Sequence, residues 1–306
     1  MARDRHEVFP LVPRRRVVGV PFGERASLRR GHGTDVAGTR PYIRGDPAAT
    51  IDWAASARLS TARGGDEFLV RERFADESPR VLLVCDHRPA MALYRHPFPW
   101  LHKRRALAAA TRAIAASAVA ARSELGYLDD GRPLPRWGDA GRAEPRELER
   151  RQLEREFDAD QDSLRRLLEI VRVRRADLPS GSFVFVLSDF LAPLPLEKFV
   201  RAGAERWELV PVVIQDPVWE QSFPVLSGIV LPVVDPETGH ELDVRIRERD
   251  ARARRAENEE RLRRLLRRFR ALGHDPVVLG SDEPAAVLRA FGAWAERRRV
   301  ARRARR

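Results

Sequence analysis

The run Val-Leu-Leu-Val-Cys-Asp at residues 81–86 decides the fold class of this chain. Five consecutive apolar residues that end in a carboxylate are typical of a buried parallel strand that delivers a side chain to the carboxyl edge of its sheet. The pattern returns as Ser-Phe-Val-Phe-Val-Leu-Ser-Asp at residues 182–189. Because helical repeats alternate with such strands, the sequence predicts an α/β domain built on a parallel sheet.

Other elements follow from the spacing of apolar residues around these two strands. Helices are predicted over 100–124, 145–174, 196–205, 248–272 and 284–298, and further strands over 125–128, 209–214 and 276–279. The segments 229–234 and 241–244 flank a turn sequence and predict a β-hairpin. Upstream, strand patterns at 17–22 and 68–74 predict a small β-rich subdomain.

The composition divides the chain into four regions. Its 306 residues are 43% apolar and 33% charged, which is typical of a globular protein with a sizeable core. Residues 1–13 are polar and rich in proline and are expected to form a flexible arm. The β-rich subdomain occupies 14–78, the α/β domain with a C-terminal extension occupies 79–296, and 297–306 is expected to be a solvated, arginine-rich tail.

The formal net charge of +12 suggests two kinds of partner, nucleic acid and anionic membrane surfaces. Zinc-finger spacing and RNP-type aromatic motifs are absent from the sequence, so nucleic acid is not the favoured partner. Cys85 is the single cysteine and lies in a predicted strand, where a buried structural thiol is expected. The sequence contains no stretch typical of a transmembrane span or a secretory signal, so we expect a protein of the cytoplasm or the membrane periphery.

Charged and aromatic residues crowd a short stretch ahead of the α/β domain. Within it, Gly45-Asp46-Pro47 is a turn sequence. Two interpretations stay open. The stretch is either a loop that two aromatic residues anchor in a core, with an ordinary ion pair beside it, or a surface that faces a partner. The candidate residues are Arg40, Tyr42, Gly45, Asp46, Asp52, Trp53 and Arg58.

The order of residues around this stretch resembles that of a known family, the domain of unknown function 58 family. The resemblance is carried by Ser27, Arg30-Gly31-His32-Gly33, Arg40-x-Tyr42, Gly45-Asp46, Ile51-Asp52-Trp53, Ser56-Ala57-Arg58 and Val70-Arg71-Glu72. Family members usually carry an aromatic residue where this chain has Thr34-Asp35 and an arginine where it has Ala49.

The resemblance implies a von Willebrand factor A-like, Rossmannoid α/β domain. Members of the family are often encoded beside MoxR-type AAA+ ATPases. The resemblance therefore also implies a non-enzymatic adaptor that works with a MoxR-type ATPase in the assembly or maturation of a client protein.

The loop after the first strand resembles the metal-adhesion loop of von Willebrand A domains, Asp-x-Ser-x-Ser. Asp86 holds the first position, Arg88 and Ala90 replace the two serines, and Asp189 matches a later acidic ligand. Mg²⁺ requires oxygen ligands, whereas Arg88 brings a positive charge and Ala90 brings no oxygen. The resemblance implies a degenerate metal site in which Arg88 pairs with Asp189, and we expect neither Mg²⁺ nor another cofactor.

Motifs of several enzyme classes are absent from the sequence. It contains no Gly-Lys-Ser/Thr phosphate loop and no Gly-x-Ser-x-Gly elbow. His96 and His102 lack the spacing of a zinc protease, and Asp129-Asp130 is typical of a turn. We therefore expect a protein without enzymatic activity. The alternatives are an arginine-rich module that docks on nucleic acid or an anionic membrane and, with less support, a hydrolase without a recognisable motif.

Overall fold

The chain divides into two units, one formed by residues 1–14 and 79–306 and the other by residues 15–78. They are called the larger and the smaller unit below. The structure is a computed structural model, and it describes residues 8–13, 36–42, 48–64, 67–73, 80–92, 100–129, 136–138, 144–174, 178, 181–192, 207–235 and 238–303. The predicted strand at 17–22 and the predicted helix at 196–205 lie outside these residues.

The described part of the smaller unit combines a two-stranded antiparallel sheet with one α-helix. Its elements are β1 (Val36–Pro41), a 3-10 turn (Ala48–Thr50), α1 (Trp53–Arg63) and β2 (Leu69–Arg73). The helix α1 begins where a carboxylate oxygen of Asp52 accepts the N–H of Ala55, and it ends at Gly64, whose φ of 70° is left-handed. Residues 53–58, which one of the two interpretations of the sequence placed in a loop, are helical, because an aspartate cap precedes a run of good helix formers.

The larger unit is built on a six-stranded sheet. The strands of that sheet are β3 (Val81–Cys85), β4 (Leu125–Leu128), β5 (Arg136–Gly138), β6 (Phe183–Ser188), β7 (Glu208–Ile214) and β10 (Val277–Leu279), and two further strands are β8 (Ile229–Val234) and β9 (Glu241–Ile246). The sheet has the order β10-β7-β6-β3-β4-β5, and every neighbouring pair is parallel except β4 and β5. The predicted α/β fold with a parallel sheet is confirmed. The predicted hairpin is also present, as the separate antiparallel ribbon β8–β9.

Helices cover both faces of this sheet. They are α2 (Lys103–Ala120), α3 (Pro145–Glu154), α4 (Ser163–Val173), α5 (Glu248–Ala271) and α6 (Pro284–Arg303). Side chains of α2 and α6 pack on the face that carries Leu83 and Phe185, and α4 and Phe269 of α5 pack on the face that carries Leu82. Because both faces are covered, β3 and β6 are buried along their whole length. The helix predicted over 145–174 is divided into α3 and α4.

The start of the chain does not behave as a flexible arm where the structure describes it. The ring of Phe9 is buried and stacks on Phe291 of α6, with 4.5 Å between the ring centroids. Val12 is buried in the same core. The prediction of a flexible arm is therefore wrong for residues 8–13. The burial of two apolar side chains outweighs the entropy lost in ordering this short segment.

The predicted tail is likewise wrong for residues 297–303, which continue α6. Arg298 is buried, and its Nη1 donates hydrogen bonds to the carbonyl of Val12, at 3.1 Å, and to Glu208. Its guanidinium also lies 4.3 Å from the ring centroid of Trp294. The helix therefore extends because one of the arginines has partners in the core. No helix in the described residues is both long and apolar enough to cross a membrane.

Candidate functional site

Three parallel strands deliver aspartates to the carboxyl edge of the sheet. Asp86 follows β3 directly, Asp189 follows β6 directly, and Asp216 comes two residues after β7. All three side chains are completely buried. Carboxylates without partners would be strongly unfavourable there, so the groups that face them determine what the edge can do. The residues of this network are called the edge cluster below: Asp86, Arg88, Lys103, Ser188, Asp189, Asp216 and Glu220.

The guanidinium of Arg88 lies between two of these carboxylates. Its Nη2 is 2.5 Å from an oxygen of Asp86 and 3.2 Å from an oxygen of Asp189, and its Nε is 2.9 Å from Asp86. The hydroxyl of Ser188 donates to Asp86 at 2.6 Å. Burial lowers the pKa of Arg88, but the hydrogen bonds and charges of the two aspartates outweigh this effect and raise it. The predicted pairing with Asp189 is confirmed, and the closer pairing with Asp86 is an addition.

Lys103 supplies a second buried positive charge, which the sequence did not predict. Its Nζ is 2.6 Å from Glu220 and 3.2 Å from Asp189. Burial lowers the pKa of Lys103, but the two carboxylates raise it by more. Burial raises the pKa of Glu220, and Lys103 opposes that rise. One sequence signal was available, since a lysine in the first turn of a helix opposes the helix dipole and therefore calls for acidic partners.

Asp216 fixes the segment that leads into α2. One of its carboxylate oxygens accepts the backbone N–H groups of Trp100 and Leu101, each at 2.9 Å. The other accepts two N–H groups of the turn that follows Asp216, at 2.8 and 3.0 Å. The edge cluster thus joins the ends of β3, β6 and β7 to the start of α2.

The edge cluster does not fit a divalent cation. The oxygens of Asp86 and Asp189 that would bind the ion face the guanidinium of Arg88 instead. Ala90, in a 3-10 turn over Pro89–Ala92, has no side-chain oxygen. In the described part of the chain, no three His, Cys, Asp or Glu side chains form a group that could hold a metal. The charge of Arg88 takes the place that a metal ion would need.

A second buried polar group lies next to the edge cluster. His87 shares a hydrogen bond of 2.8 Å with Gln152, whose amide nitrogen is 2.6 Å from the hydroxyl of Tyr127. Burial lowers the pKa of His87, although the bond to Gln152 opposes this effect. Cys85 is completely buried, as the sequence predicts, and burial raises the pKa of its thiol to about 12.

Of the motif residues ahead of the α/β domain, two have charged side chains that bond to the backbone of α1. Asp52 caps it, as described above, and Arg58 donates from Nε to the carbonyl of Ala54 at 3.1 Å. Arg40 pairs through its backbone with Val70, and its side chain is outside the described part of the structure. Gly45 and Asp46 also lie outside the described residues.

The two aromatic motif residues, Tyr42 and Trp53, are exposed rather than buried. The interpretation that they anchor a loop in a core is therefore wrong. Trp53 occupies the first position of α1, directly after its cap, and Tyr42 follows the end of β1. Both residues thus lie at the end of an element, Tyr42 after β1 and Trp53 at the start of α1, and both side chains are exposed to solvent.

Comparison with known proteins gave two matches. A family model described as "Protein of unknown function DUF58" matches residues 38–264. The crystal structure of the conserved hypothetical protein BatB from Bacteroides thetaiotaomicron matches with a TM-score of 0.37 and 9% sequence identity, and covers 71% of this chain and 99% of that chain. No curated protein matches the sequence. The family match includes most of β1, all of α1 and β2, and most of the α/β domain.

Proposed function

The chain belongs to the DUF58 family of proteins of unknown function, and we propose that it is a non-enzymatic interaction protein of the cytoplasm. In this proposal it binds a MoxR-type AAA+ ATPase and helps it to assemble or mature a client protein. The ATPase as partner comes from the family resemblance described from the sequence. The binding role, as opposed to catalysis, is supported by the edge cluster.

The observation that carries the proposal is the position of Arg88 between Asp86 and Asp189. The carboxyl edge is where open α/β sheets usually bind ligands and hold catalytic groups. Here the buried acids are engaged by side chains of the same chain. A carboxylate that is paired in this way is poorly placed to act as a base or to bind a metal. A partner would therefore meet a preformed surface and not an exchangeable ion.

The arginine-rich alternative has weaker support, because much of the surface charge is paired locally. Arg150 of α3 contacts Glu147 and Glu154, at 2.8 and 2.7 Å. Along α5, Glu260 similarly contacts two arginines, each at 2.7 Å. Such pairs add little to stability, but they reduce the positive field that would attract nucleic acid.

Isothermal titration with the purified MoxR-type ATPase of the same genome tests the proposal. We expect saturable binding that changes little between 50 and 200 mM salt. Binding to nucleic acid through phosphate contacts would instead fall by orders of magnitude over that range. Failure of the wild-type protein to bind the ATPase, with salt-sensitive binding to nucleic acid or anionic vesicles, would favour the alternative.

Titration with Mg²⁺ tests the role of Arg88 separately. The wild-type protein should not bind Mg²⁺ tightly, because the guanidinium occupies the space between the carboxylates. Arg88→Ser with Ala90→Ser restores two hydroxyl ligands and should gain measurable binding, once circular dichroism has shown that the variant is folded. Tight, Asp86-dependent binding by the wild-type protein would contradict the interpretation. A folded double variant without Mg²⁺ binding would show that further ligands are missing.

A further inference from the structure

Three large aromatic side chains lie together on the surface of the smaller unit. Trp53, Phe68 and Tyr42 are 63%, 43% and 38% exposed. Phe68 lies between the other two, with centroid distances of 6.0 Å to Trp53 and 6.5 Å to Tyr42 and with interplanar angles of 80° and 75°. We call these three residues the aromatic cluster. Exposed aromatic residues in a group are uncommon on a monomeric protein and are typical of binding hot spots.

Backbone contacts hold the aromatic cluster in place. The N–H of Tyr42 donates to the carbonyl of Phe68 at 2.8 Å, and the N–H of Asp52 donates to the carbonyl of Leu69 at 2.8 Å. The hydroxyl of Ser56 on α1 accepts the N–H of Leu69 at 2.8 Å. These bonds fix β1, β2 and the first turn of α1 to one another. Little conformational entropy would therefore be lost when a partner binds the rings.

The size of the aromatic cluster argues against a second copy of the chain as its partner. The exposed parts of the three side chains amount to about 300 Å², if each ring residue offers about 200 Å² in full. A stable dimer usually buries about 800 Å² on each partner. A surface of this size suits a short segment of another protein, which can bury its few apolar side chains against three rings.

The charges at the rim of the aromatic cluster argue against single-stranded nucleic acid. Arg58 folds back on Ala54, next to the first turn of α1. Glu67, which precedes Phe68, is also exposed. Among the described residues, this rim has one positive and one negative group and no basic groove of the kind that follows a phosphate backbone. The neighbouring rings are also nearly perpendicular, so they do not offer parallel platforms to successive bases.

We propose that the aromatic cluster is a docking site for a short apolar segment of a partner protein, which places a carboxylate opposite Arg58. The proposal rests on the proposed function as an interaction protein and names the surface that performs it. It replaces the interpretation in which Tyr42 and Trp53 anchor a loop in a core. The aromatic residues meet the partner, whereas Asp52 and Ser56 hold them in position.

A library of random 12-residue peptides displayed on phage, selected on the full-length protein, tests the proposal. We expect enrichment of apolar peptides that contain Asp or Glu. For the most enriched peptide, labelled with a fluorophore, Trp53→Ala and Phe68→Ala should each weaken binding at least tenfold in fluorescence polarisation. The matched control is Trp100→Ala, because Trp100 is 69% exposed but belongs to the larger unit. This control should bind the peptide as the wild-type protein does.

A measurement on the intact side chain covers the case in which the alanine variants fail to fold. In protein labelled with 5-fluorotryptophan, the ¹⁹F resonance of Trp53, assigned with Trp53→Phe, should shift when the peptide is added. The resonance of Trp100 should stay in place. A Trp53 resonance that does not move at saturating peptide overturns the proposal, whether or not Trp53→Ala folds.

The remaining outcomes separate this proposal from the proposed function. Trp53-dependent peptides without any binding of the ATPase would support the docking site and overturn the ATPase partnership. Equal binding of the ATPase to wild-type and Trp53→Ala proteins, with no Trp53-dependent peptide, would overturn the docking site and leave the partnership standing. Trp53-dependent binding of a dT12 oligonucleotide, or a dimer that Trp53→Ala abolishes, would also overturn the docking site.

Discussion

Replacement of Lys103 by methionine should destabilise the larger unit strongly. Methionine keeps the length and most of the volume of the side chain, so the change removes the charge without a large cavity. Asp189 and Glu220, both buried, then lose the ammonium that lies 3.2 and 2.6 Å from them. Removing one member of a buried ion pair usually costs about 3–5 kcal/mol, because the other charge is left unpaired. Asp189 keeps the guanidinium of Arg88, whereas Glu220 loses the ammonium that balances its charge, so we expect a cost of about 4 kcal/mol.

Urea denaturation at pH 7 measures this cost. A Trp53→Phe background leaves all remaining tryptophans in the larger unit, so their fluorescence reports on that unit alone. With an m-value of about 3 kcal/mol/M, a loss of about 4 kcal/mol lowers the midpoint by about 1.3 M. Adding Glu220→Gln removes the negative charge that Lys103 balances in the wild-type protein and should recover part of the loss.

The matched control is Arg150→Met, which removes an exposed cation that also contacts two carboxylates. Exposed pairs contribute about 0–1 kcal/mol, so the control should shift the midpoint by about 0.3 M at most. If Lys103→Met costs no more than Arg150→Met, Lys103 is not the buried partner of two acids, and the account of the edge cluster fails.

Four further outcomes are expected. Burial lowers the pKa of His87 below its ordinary 6.5, so the unfolded chain binds more protons at this residue than the folded chain does. The stability that His87 contributes above pH 6.5 should therefore be lost as the pH falls through the folded-state pKa. Urea titrations at several pH values should show this slope, and His87→Gln should flatten it. Phe9→Ala should cost about 3–5 kcal/mol in the same assay, whereas Val8→Ala, at an exposed neighbour, should cost under about 0.5; equal costs would contradict the packing of residues 8–13. Cys85, with its pKa raised to about 12, should resist iodoacetamide in the native protein and react after unfolding, as mass spectrometry would show. Asp52→Ala should lower stability by about 0.5–2 kcal/mol and Asp52→Asn by less, since asparagine also caps a helix; equal losses in thermal denaturation would contradict the cap.

Elements with strong local patterns could be predicted from the sequence. The apolar runs of β3 and β6 define buried parallel strands, and the amphipathic spacing in α4 and α5 defines helices, because burial on a sheet selects those patterns wherever they occur. The pairing of Arg88 with Asp189 could also be predicted, since both follow neighbouring strands at the same edge. The helix α1 had a usable signal as well, namely Asp52 before an alanine-rich run.

Features that depend on distant partners could not be predicted. Lys103 meets Glu220 from 117 residues away, and nothing in either local sequence specifies the other. The segment 8–13 contains only two buried apolar side chains, which is too short a pattern to distinguish from a loose end until α6 is placed. The exposure of Trp53 was missed for a related reason. A large aromatic residue is usually buried, and only its position at the start of α1 leaves it at the surface.

The stack of Phe9 on Phe291 also determines when the larger unit can be completed during synthesis. Phe9 belongs to the first described segment of the chain and Phe291 to the last described helix, α6. About 280 residues separate them, so at roughly 5–20 residues per second the ribosome needs roughly 15–60 s to travel between the two. The about 105 residues between Phe185 and Phe291 take roughly 5–20 s to synthesise, and for that time Phe183 and Phe185, which contact rings of α6 in the finished structure, lack this cover. The nascent chain thus presents an unfinished apolar surface, which is the kind of surface that chaperones at the ribosome protect.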